Sequence, residues 1–70
     1  MIAPIQSLAQ LRTKAIKDPR YKTLAIVLAK SYGYDPGDRF SEAMDNLTDV
    51  ADETSESEVI EEANALRSEV

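Results

Sequence analysis

Apolar residues return every three to four positions along most of this chain, and the interruptions fall on residues that start or stop helices. Ile5, Leu8, Ala9, Ala15 and Ile16 recur at helical spacing and predict a first helix over residues 4–17. Asp18 and Pro19 follow, an N-cap residue and then a proline at the first helical position, where the missing N–H removes no hydrogen bond. A second helix is predicted over 19–32, with Tyr21, Leu24, Ala25, Leu28 and Tyr32 as its core face. Gly33 is its C′ residue, because glycine enters the left-handed conformation without a Cβ penalty, and residues 34–37 read as a turn.

The third segment, 38–53, has the cleanest pattern. Phe40, Ala43, Met44, Leu47, Val50 and Ala51 share one side, while Asp38, Glu42, Asp45, Asp49 and Asp52 fall opposite. Ser55 with Glu58 three residues later fits a capping box for a fourth helix over 56–69, whose seam is Val59, Ala63, Leu66 and Val70. No run reads as a strand. The expected fold is therefore all-α, a small domain of three or four helices with short loops, in which the second helix is central and the third packs its Phe40, Met44, Leu47 and Ala51 face against it.

Length then limits the core. A chain of 70 residues hides only about 60% of the surface its unfolded form exposes. With neither cysteine nor histidine, it has no disulfide framework and no ordinary zinc site to add stability. Self-association into a homodimer or a higher homo-oligomer is the expected remedy.

Charge adds a second feature that periodicity does not show. Of the formal net charge of −5, residues 1–35 carry Arg12, Lys14, Lys17, Arg20, Lys22 and Lys30 against Asp18 and Asp35, a net +4; residues 36–70 carry Arg39 and Arg67 against eleven acids, a net −9. Such a division points either to charged partners or to two halves that attract each other within one fold.

Several function classes drop out. Catalysis by nucleophile and base lacks histidine and cysteine, the commonest occupants of those roles, and the acids are expected to face water instead of a cleft that would raise a carboxyl pKa. No enzyme, cofactor or metal is expected. Asp35-Pro36-Gly37-Asp38 is turn and cap chemistry and does not meet the acid spacing of a calcium loop. Leu28-Ala29 followed by Gly33 has the alanine-to-glycine spacing of a helix-turn-helix, but the buried aliphatic positions that should follow fall on Arg39 and Glu42. The next helix would also present carboxylates to phosphates. The longest apolar run, residues 24–29, is far too short for a membrane span, and the first residues lack the pattern of a secretory signal, so a cytoplasmic location is expected.

What remains is binding by helix surfaces to a protein partner. Arg12 lies between Leu8 and Ile16 on the first helix, either as a snorkelling stem or as a group that meets a carboxylate across a contact. On the second helix Ile26 points between Lys22 and Lys30, away from the core stripe. An exposed Ile26 suits the acidic, amphipathic helix of a partner; alternatively the helix is packed from two sides. Arg12, Lys22, Ile26 and Lys30 are accordingly the candidate partner-binding residues. Two alternatives compete with this reading. The stripe Asp38, Glu42, Asp45, Asp49 and Asp52, about 21 Å long if wholly helical, could imitate nucleic-acid phosphates and inhibit their binder. The basic half could bind nucleic acid weakly, although six cations without interleaved aromatics make a poor signal for it.

Overall fold

In the computed structural model, which describes residues 2–70, the chain is an all-α domain of four helices: α1 (Leu8–Lys17), α2 (Pro19–Ser31), α3 (Phe40–Glu53) and α4 (Glu56–Leu66), the last followed by a 3-10 turn, Arg67–Glu69. No strand occurs among the described residues. α2 packs against α1, α3 and α4, most extensively against α3, and α3 also touches α1 and α4. Tyr21, Leu24, Ala25, Leu28 and Ala29 of α2 meet Ala43, Met44, Leu47 and Val50 of α3 in one core, closed by Leu11 and Ala15 from α1 and by Val59, Ile60 and Ala63 from α4. Five of these buried residues are alanines with at most 1% of their surface exposed, which lets the helix backbones approach closely.

The joints follow from local chemistry. Asp18 closes α1 by donating its N–H to the Lys14 carbonyl (3.0 Å) and opens α2 by accepting from the Arg20 N–H through Oδ1 (3.0 Å). One residue serves both ends, so the link needs no further length. At the end of α2 the Gly33 N–H donates to the Lys30 carbonyl (2.9 Å) and the Tyr34 N–H to the Ala29 carbonyl (3.1 Å), with Gly33 at φ +91°. This paired pattern is the Schellman motif, and it requires a residue that tolerates positive φ. Ser55 Oγ accepts from the Glu58 N–H (3.2 Å) and caps α4.

Apart from α2 ending one residue early, at Ser31, three element boundaries differ from the periodicity. α1 begins at Leu8 and not at residue 4, because Ser7, in extended backbone, takes the N-cap. Ser7 Oγ accepts from the Gln10 N–H (3.0 Å), while Gln10 Oε1 accepts from the Gln6 N–H (2.6 Å). α3 begins at Phe40 and not at 38, because residues 36–39 form a turn in which the Arg39 N–H donates to the Pro36 carbonyl (3.1 Å) and Gly37 sits at φ +63°. α4 tightens into a 3-10 turn after Leu66.

Freed from α1, residues 2–7 have no regular secondary structure and lie against the C-terminal part of the chain as a strap. Ile2 and Ile5 are each 2% exposed and join the core. Asn64 of α4 fixes the strap from both sides, accepting from the Ile5 N–H through Oδ1 and donating through Nδ2 to the Ile5 carbonyl, both at 2.9 Å. Arg67 Nη1 donates to the Ile2 carbonyl (2.8 Å). The backbone polar groups that a strand ladder would satisfy are here satisfied by side chains of a helix.

Candidate functional site

The strap changes which face of α1 looks outward. Once Ile5 is off the helix, the burial axis is set by Leu11 and Ala15, with Leu8 half-buried beside them. At 100° per residue Ile16 lies about 140° from Leu11, and it is 74% exposed, the one large hydrophobic exposed among the described residues. The first-helix face containing Ala9 and Ile16 is thus not buried: both residues are solvent-facing. Arg12, one turn before Ile16, is also exposed, as is Lys17, the next residue.

On α2 the positions of the candidates divide. Lys22 and Lys30 are exposed, but Ile26 is half-buried and packs against the core. Ala29, a turn further on, is fully buried as well as Leu28, because α2 is covered by neighbours on more than one side. The apolar group left within the basic half is Ile16, where the periodicity had placed Ile26. No ion pair among the described residues joins the two halves of the chain. The two that form are local: Arg20 Nη2 to Asp18 Oδ2 at 2.7 Å, and Arg39 Nη2 to Glu42 Oε2 at 2.5 Å. Hydrogen bonds from the Arg20 side chain and then from its backbone N–H hold the Asp18 carboxyl below its ordinary value. Lys14 lies over the Tyr21 ring, 5.6 Å from its centroid, and is the basic-half cation turned most toward the fold.

The acidic stripe is shorter than a continuous helix would make it. Asp38 belongs to the turn before α3, and Glu42 is half-buried and paired with Arg39. Asp45, Asp49 and Asp52 remain exposed on the helix, over a rise of about 10 Å. The row of about 21 Å that strict periodicity implies is shortened, since Asp38 lies off the helix and Glu42 is paired with Arg39.

A recess of about 430 Å³ lies between the strap and α4, lined by Gln6, Glu56, Ser57, Ile60, Glu61 and Asn64. Ile60, 8% exposed, is its apolar lining residue, and Glu56 and Glu61 stand exposed in its wall. Glu56 also accepts from the Leu8 N–H through Oε2 (3.1 Å), placing a negative charge at the N-terminus of α1, where the helix dipole favours one. Periodicity could not reveal this recess, because its two walls are 50 residues apart in sequence and are joined by tertiary hydrogen bonds, Asn64 to Ile5 and Glu56 to Leu8 among them.

Among the described residues no group of three or more acidic side chains is placed to hold a metal ion, and no helix is long and apolar enough to cross a membrane. No protein-family model matches the chain, and no characterised protein or solved structure is significantly similar to it.

Proposed function

We propose that this chain is a non-enzymatic interaction module, an adaptor or regulator, that docks a protein partner onto the basic surface of α1 and α2. The observation that carries the reading is Ile16, 74% exposed on a helix whose outward cations, Arg12 and Lys17, are not consumed by pairing with the acidic half. Lys22 and Lys30 extend the positive surface along α2. An apolar anchor on a net-positive half of the chain suits a partner helix with an apolar stripe and acidic flanks, since the anchor supplies affinity and the charges supply orientation and encounter rate. We assign the module to the cytoplasm, in keeping with a sequence that contains no cysteine.

The test is affinity capture from the source cell with the unmodified chain and with Ile16→Asp. Ile16 buries little, so the substitution should cost no more than about 1 kcal/mol, chiefly from an acid in the last turn of α1, and leave the fold intact. A partner recovered by the unmodified chain, lost with Ile16→Asp and weakened by raised salt supports the reading. Recovery of the same proteins by both chains overturns it. Ile26→Asp serves as the contrast: it puts a carboxylate against the core and should lower stability by about 1–3 kcal/mol, a folding effect that Ile16→Asp does not share.

A further inference from the structure

The exposed isoleucine and the strap recess are complementary. Ile16 is an apolar knob beside two exposed cations, Arg12 and Lys17; the recess offers Ile60 beside two exposed carboxylates, Glu56 and Glu61, in about 430 Å³. They lie at opposite ends of α1, since Gln6 in the recess wall precedes the Ser7 cap and Ile16 is in the last turn. The rise between Ser7 and Ile16 is about 14 Å, so the knob cannot fill the recess of its own molecule. We propose that the occupant is a second copy of this chain, with Ile16 of one copy seated in the strap recess of the next and Arg12 and Lys17 facing Glu56 and Glu61 across the contact.

The inference rests on the interaction role proposed above and names one partner for the same face. Because knob and recess are different patches, the contact is heterologous: each copy uses one patch as donor and keeps the other as acceptor. The opposite net charges of the two halves, +4 and −9, favour this alignment over one that brings like faces together.

A complementation experiment separates this contact from others. Sedimentation equilibrium at low salt should show the unmodified chain associating, with mass falling as salt rises. Ile16→Asp removes the knob, and Ser57→Arg combined with Glu61→Lys blocks the recess while sparing Glu56 and Asn64, which hold the fold. Each variant alone should associate roughly tenfold more weakly or worse, the loss of one buried anchor. Their equimolar mixture should recover association, because each supplies the patch the other lacks. An unmodified chain that is monomeric up to millimolar concentration, association that survives Ile16→Asp, or a mixture that stays monomeric would each overturn the proposal. If the chain is monomeric yet captures a foreign partner through Ile16, self-association falls and the interaction role stands. If neither is seen, both fall.

Discussion

Replacing Asn64 tests how the strap is held. Asn64→Ala removes two hydrogen bonds, each 2.9 Å long, to the backbone of Ile5 and leaves that N–H and carbonyl without protein partners. A typical intramolecular hydrogen bond contributes about 0.5–1.5 kcal/mol net, so the pair is worth about 1–3 kcal/mol. Asn64 lines the open recess, where water can reach the freed groups, and this places the expected loss in the lower half of that range. For a domain of this size, 1 kcal/mol corresponds to about 4–8 °C in Tm. Asn64→Asp sharpens the test, because it conserves volume but swaps the donor facing the Ile5 carbonyl for an oxygen. It should cost at least as much as alanine above pH 5 or so, where an ordinary aspartate is ionised. Urea unfolding followed by far-UV circular dichroism gives the energies, and hydrogen exchange at the Ile5 amide reports the strap itself. If Asn64→Asp unfolds at the same urea concentration as the unmodified chain, or if the Ile5 amide exchanges no faster in either variant, the two-sided clamp does not hold the strap.

Two further outcomes follow from the same geometry. Gly33→Ala should cost about 1–2 kcal/mol, the left-handed backbone penalty alone, since φ is +91° and no atom lies within 4 Å of the added Cβ; an unchanged urea midpoint would refute this. The Tyr32 phenol is held above its ordinary value of 10.0, first by burial and then by Glu62 and Glu58. Its neutral form contributes stability fully below the unfolded value, and that contribution is lost as pH rises from there through the folded value. Glu62→Gln should lower the midpoint without returning it to the ordinary value, because burial is the larger cause; an NMR titration of the Tyr32 ring that ends at or below 10.0 contradicts the assignment.

Much of the architecture could be read from local chemistry. Asp18-Pro19, Gly33 and Ser55 mark helix ends because their side chains or backbone freedom satisfy groups within a few residues, independent of what packs above them. Ser7 with Gln10 carries a similar signal, serine followed three residues later by glutamine, and it places the start of α1 correctly. The hydrophobic residue before it, Ile5, masked that signal by continuing the apolar spacing. Ile5 is apolar because the strap is buried, and not because the segment is helical. Placing it on the helix rotated the inferred face, moving Ile16 inward and leaving Leu11 out of the core. The interaction candidates moved with it, from Ile26 to Ile16.

By itself the sequence determined the helical segments, the caps at Asp18, Gly33 and Ser55, and the uneven division of charge, all properties of neighbouring residues or of counting. Only the tertiary structure decided that residues 2–7 stay out of α1 and pack as a strap, that Asn64 of α4 satisfies Ile5, and that a recess opens between them. Those outcomes depend on groups 59 residues apart competing with water for the same hydrogen bonds. Such a competition is settled by proximity in the folded chain and leaves no period in the sequence.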